Sequence, residues 1–278
     1  MRNRRIGHVK VSAIGLSAAG LSGLARRDAA ITTIHAALDA GITLIDAGGE
    51  AGGDTRQHHT EELIAEALRG RDERVLVATA GPHANPRAGA RPGGFPAALR
   101  AAAQGSAARL GVDAVGLFHL RQPGHEVPWE EAVGALSDLL DEGVISLAGI
   151  TDAAAWQIEA ANRLLGGRLA SVQHRFSPFE REREPELDLC AEHDIAFLAL
   201  SPLGGGTRAA RLGSEHPVFA DVAAELRVSV HRVALAWELA MQHTMIPLPG
   251  ARRAGTIRDC ALAADVVLTA GQIARLDA

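Results

Sequence analysis

The sequence predicts an α/β chain closed into a (β/α)8 TIM barrel behind a short N-terminal β-hairpin. Eight short apolar segments read as strands, and amphipathic helical segments alternate with them. Gly- and Pro-rich stretches follow the strand segments at 48–53, 81–96, 123–128 and 201–213, where the βα loops of a barrel belong.

In chain order, the front alternates like a hairpin and leads into a first strand at 11–16. Helix 28–40 and strand 43–46 follow, then helix 60–68 and strand 74–79, helix 97–109 and strand 114–120, and helix 129–141 and strand 144–150. Helix 153–163 precedes strand 170–173, helix 182–193 precedes strand 195–200, and helix 231–241 precedes the eighth strand at 245–248. Gly41, Gly70, Gly111 and Gly143 stand just past helical runs, where a residue without a Cβ ends a helix at no steric cost. An open doubly wound sheet would carry a GxGxxG turn after its first strand, and Gly15 and Gly20 lack that spacing. The 278 residues are therefore read as one barrel domain spanning 1–278.

Composition narrows the function classes. The formal charge of −5 and pI near 6.2 leave no basic footprint for nucleic acid or anionic membrane, which favours a small-molecule partner. Cys190 and Cys260 lack CxxC spacing, which suits a reducing, cytoplasmic compartment. Arg2, Arg4 and Arg5 before the apolar run 9–25 mimic a secretory signal, but Lys10, Ser12, Ser17 and several glycines interrupt that run. Aromatic residues are 3% of the chain, tyrosine is absent, and lysine occurs once, at Lys10.

Several motifs appear in one order: Val11-Ser12-Ala13-Ile14-Gly15-Leu16, Ala37-Leu38-Asp39-Ala40-Gly41-Ile42 leading to Ile45-Asp46, and Gly134-Ala135-Leu136 through Glu142-Gly143. Ser201-Pro202-Leu203-Gly204 and Ile246-Pro247-Leu248-Pro249-Gly250 complete them. Together they resemble the aldo-keto reductase family over nearly the whole chain. The resemblance implies NADP(H)-dependent carbonyl reduction through a tetrad of Asp, Tyr, Lys and His. Position by position, Asp46 keeps the acid, whereas Ala51 stands for the tyrosine, Ala80 for the lysine and Arg121 for the histidine. Lys10 is expected in the hairpin, at the opposite end of the barrel. For the cofactor, the resemblance places Gln173 at the carboxamide, Thr151 and Asp152 beside it, and Leu200 where a stacking tyrosine is usual. It places Ser201, Leu203, Gly204 and Gly205 near the pyrophosphate, and Arg252 and Arg253 near a 2′-phosphate. Thr256, Asp259 and Cys260 depart from the family's later Arg, Glu and Asn positions, so the signs for and against NADP balance, and Asp259 is counted with the cofactor-binding candidates.

With tyrosine and lysine gone from the mouth, Asp46 is expected as acid or base, and Arg121 as its cationic neighbour and anion stabiliser. A guanidinium is too weak an acid to replace tyrosine, so His119, Glu50 and His83 are the further candidates for moving protons. The plainer reading of His119 is a packed core imidazole. His58-His59 read as a solvated helix start, and His125 with Glu126 as loop decoration. The charge run 181–186 likewise reads as a solvated helix start, and no ligand spacing points to a metal. The leading expectation is non-reductive acid–base chemistry: dehydration, isomerisation or cyclisation. An NADP(H)-dependent oxidoreductase with a substitute proton donor, and a non-catalytic binding or regulatory barrel, are the alternatives.

Overall fold

The computed structural model describes residues 1–22, 27–48, 53–82, 94–124 and 126–278. Strands β1 (Asn3–Ile6) and β2 (Val9–Ser12) pair as an antiparallel hairpin. The barrel strands are β3 (Leu16–Ser17), β4 (Leu44–Asp46), β5 (Leu76–Ala80), β6 (Leu117–Leu120), β7 (Ala148–Thr151), β8 (Leu169–Arg175), β9 (Ala196–Leu200) and β10 (Met245–Leu248). They run parallel in sequence order as one eight-stranded sheet. A bridge between Ser17 and Gly250, with Gly15 N–H donating to Pro247 O and Ser17 N–H to Pro249 O, closes β3 onto β10.

The helices are α1 (Arg27–Asp39), α2 (Gly53–Leu68), α3 (Gly94–Leu110), α4 (Trp129–Asp141), α5 (Ala155–Leu164) and α6 (Glu184–Glu192). Then come α7 (Gly206–Ala209), α8 (Leu212–Glu215), α9 (Pro217–Leu226), α10 (Val230–Met241), α11 (Ala254–Ala261) and α12 (Ala270–Asp277). The four glycines read as helix stops adopt φ of +84, +75, +71 and +71° in chain order.

Alternation along the strands separates two cores. Leu44, Leu76, Leu117, Leu198, Ile246 and Leu248 fill the barrel interior, and Ile6 and Val11 of the hairpin join them from below. Phe118, Val172 and Phe197 face outward and pack under the helices with Trp129, Phe176 and Trp237. Lys10 lies exposed on the hairpin that closes this lower end, as expected. Cys190 and Cys260 are free buried thiols in separate outer clusters, and burial pushes each up to about 12. Among the described residues, no helix is long and apolar enough to cross a membrane.

Three element readings need correction. The expected strand 11–16 is two pieces, because the chain leaves the hairpin at Ser12 and enters the barrel only at Leu16. Helix α2 begins at Gly53 rather than residue 60, since its first turns are polar and hid the apolar period. Five helices went unforeseen: the single turns α7 and α8; α9, which has Pro217 in its first turn; α11; and α12, which opens on a Thr269–Gln272 capping box.

Candidate active site at the barrel mouth

The site candidates collect at the C-terminal ends of the strands. Asp46 ends β4, fully buried. A methyl built on Gly48 would lie 3.4 Å from Asp46 Oδ1 and 3.3 Å from Ala80 Cβ, so the carboxylate and the lysine position share one corner. The side chain available there is a methyl.

Arg121, just beyond β6, leans across the end of β5. Its Nε donates to Gly81 O at 2.9 Å and an Nη to Gln57 Oε1 at 3.2 Å. Gln57 belongs to a polar cluster that the sequence reading missed. Its Nε2 donates to Ala80 O (2.8 Å), Thr79 Oγ1 (2.8 Å) and Glu61 Oε1 (3.2 Å). The buried Glu61 also accepts from Thr79 Oγ1 at 2.5 Å, Ser106 Oγ at 2.8 Å and Arg109 Nε at 2.5 Å. Four partners make a buried carboxylate tolerable. The available signal was the i, i+4 spacing of Gln57 and Glu61, which becomes visible only once α2 extends back past residue 57.

His119 lies two residues below Arg121, inside the barrel and fully buried. Its Nε2 is 3.0 Å from Ser171 Oγ. Burial pushes its pKa down to about 3, the Arg121 charge adds to that shift, and the Thr79 backbone opposes it. The imidazole is therefore neutral at physiological pH. Its space is taken from β7: a Cβ on Gly149 would fall 2.4 Å from His119 Cδ2 and 2.6 Å from Ser171 Oγ. Gly149→Ala should displace the ring and cost about 1–3 kcal/mol of stability, read from urea unfolding; wild-type stability in that variant would contradict the packing.

Thr151, Asp152 and Gln173 meet at the ends of β7 and β8, where Thr151 pairs with Gln173 in register. Thr151 Oγ1 lies 3.1 Å from Asp152 Oδ2, and Asp152 takes a left-handed φ of +57°. Gln122 Nε2 donates to Asp152 O and to Gln157 Oε1, each at 3.0 Å, bracing this turn. Gln173 Nε2 is buried without a hydrogen-bond partner among the described residues. After β9, Ser201 O accepts from Gly204 N–H at 2.7 Å, and Ser201 (φ +52°), Gly204 (+75°) and Gly205 (+85°) turn left-handed in succession. A Cβ on Gly204 would strike Phe179 Cδ2 at 2.6 Å, so only glycine fits. Leu203 packs between the two outer clusters.

Arg252 and Arg253 are exposed directly before α11. Asp259 serves a different purpose: its oxygens take Ser229 Oγ and Arg232 Nε, each at 2.6 Å, tying α11 to the start of α10. His58 and His59 lie on α2, with His59 exposed beside Glu62, and the charge run at 181–186 forms the pairs Arg181–Glu184 and Arg183–Glu186. Glu50, Ala51, His83 and His125 lie outside the described residues. Among the described residues, no three His, Cys, Asp or Glu side chains gather as metal ligands.

The geometry can be set beside known proteins. The model of the aldo/keto reductase family matches residues 13–278. A protein of Novosphingobium aromaticivorans named 6-dehydroglucose reductase is 33% identical over 281 aligned residues, covering 95% of this chain and 90% of its own. An uncharacterized oxidoreductase of Schizosaccharomyces pombe is 25% identical over 90% of this chain and 79% of its own. The crystal structure of an aldo-keto reductase from Klebsiella pneumoniae in complex with NADPH superposes with a TM-score of 0.84 at 25% identity, covering 100% of this chain and 95% of that one. Barrel, hairpin and motif order agree with these comparisons, and the chain belongs to the aldo/keto reductase family.

Proposed function

We propose that this chain is an enzyme that runs acid–base chemistry on a small molecule at the barrel mouth: dehydration, isomerisation or cyclisation. Asp46 transfers the proton and Arg121 stabilises the negative charge that develops. The observation that carries this reading is the corner shared by Asp46 and Ala80, in a chain that has no tyrosine and holds its one lysine at the far end. His119 is a poor substitute acid, because with a pKa of about 3 its imidazolium form is scarcely populated near neutrality. In a family assay with simple aldehydes, NADPH oxidation should stay at background. Consumption at the pace of an ordinary member would overturn the proposal.

The buried Gln173 amide nitrogen, without a hydrogen-bond partner among the described residues, supports a second reading, that NADP(H) still binds. Thr151, Asp152 and Gln173 would hold the nicotinamide, the turn Ser201–Gly205 the pyrophosphate, and Arg252 and Arg253 the 2′-phosphate. When bound, the cofactor supplies hydride transfer, and the likeness to an NADPH complex favours its retention. Titration should quench NADPH fluorescence saturably, and Gln173→Leu should weaken binding by about tenfold. No binding at millimolar NADPH would remove this reading.

A further inference from the structure

We infer that Gln57 is a positioning residue for Arg121, an inference that rests on the use of Arg121 proposed above. The Gln57 amide has one chemically consistent orientation. Ala80 O accepts only, so the atom facing it at 2.8 Å must be the NH₂ group. That leaves Oε1 toward Arg121, whose guanidinium donates only and reaches it at 3.2 Å.

The same NH₂ group also meets Thr79 Oγ1 and Glu61 Oε1, and Glu61 is itself clamped by Ser106 and Arg109. Gln57 is thus pinned on its donor side from α2, α3 and β5, and only its acceptor side faces the mouth. Each added bond restricts the plane of a guanidinium, and the bond to Gln57 Oε1 is a second anchor beside the one to Gly81 O. The second anchor places positive charge over the end of β5, next to the residue that stands where the family has lysine. The cluster below therefore does more than hold α2 on the barrel. It aims a cation that has moved from one strand to its neighbour.

The test is the Nε–H resonance of Arg121 in the isotope-labelled full-length chain, identified by its loss in Arg121→Lys. In Gln57→Leu, hydrogen exchange at that Nε–H should accelerate on the order of tenfold. Gln57→Asn, which withdraws the amide by one methylene and keeps it polar, should act in the same direction and serves if the leucine variant does not fold. Wild-type exchange at Arg121 in whichever variant folds would overturn the inference, since a residue that merely supports α2 would leave that resonance unchanged. Full turnover in Arg121→Ala would instead remove the functional reading and leave the exchange measurement to decide the role of Gln57.

Discussion

Glu238→Leu should stabilise the protein by about 1–4 kcal/mol at pH 8, with a smaller gain at pH 5. Glu238 is fully buried in the middle of α10, between the buried Leu235, Trp237 and Leu239. Neither carboxyl oxygen has a hydrogen-bond partner among the described residues, and burial holds the group well above its ordinary 4.5. The folded state keeps this proton while the unfolded chain releases it. Stability from Glu238 is therefore full below pH 4.5 and falls as pH rises toward the folded pKa. His119 acts with the opposite slope. Its folded pKa of about 3 lies below the ordinary 6.5, so its contribution is full above pH 6.5 and is lost as pH falls toward 3. The contributions of these two groups oppose each other between pH 4.5 and 6.5, and above that interval the Glu238 contribution alone of the two still falls. Urea midpoints of wild type and Glu238→Leu across pH 5 to 8.5 measure the difference directly. A leucine variant less stable than wild type at pH 8 would mean that the carboxylate holds something the packing needs.

Neither buried acid nor the Gln57 cluster was legible in the sequence, and the reasons are physical. Strands and helices announce themselves by period, so seven helices and eight strands could be placed from apolar spacing and glycine stops. Glu238 interrupts an apolar helix face at one position only, which reads as an ordinary exposed acid unless the rotation of α10 against β10 is known. Gln57 lies among polar residues after a glycine-rich run, a composition that signals loop. Apart from Glu61, four residues on, its partners come from residues 22, 23 and 64 positions away, distances over which no local pattern operates. The mouth candidates were found for a different reason. The family resemblance assigned Asp46, Arg121, Thr151 and Gln173 by position, and barrel topology, which sends strand ends to one place, put them at one mouth before any contact was seen. What topology does not supply is side-chain direction. That is why Asp259, counted with the cofactor residues, turns out to bind Ser229 and Arg232.

Asp46→Asn should lower turnover by about 10²–10⁴, because the amide preserves the shape of the corner and removes the carboxylate that transfers the proton. The substitution is nearly isosteric in a fully buried site, so the folded structure should survive and the loss should fall on kcat. Arg121→Ala should cost about 10²–10³ by withdrawing the donor that meets developing negative charge. The two effects are coupled if proton transfer and charge stabilisation belong to one transition state. In that case Asp46→Asn with Arg121→Ala together should lose much less than the product of the single losses. Near-additive losses would assign the two residues to separate steps, with Arg121 holding substrate and Asp46 alone doing chemistry. Full activity in both single variants would show that the reaction, whatever its substrate, does not pass through this corner of the barrel.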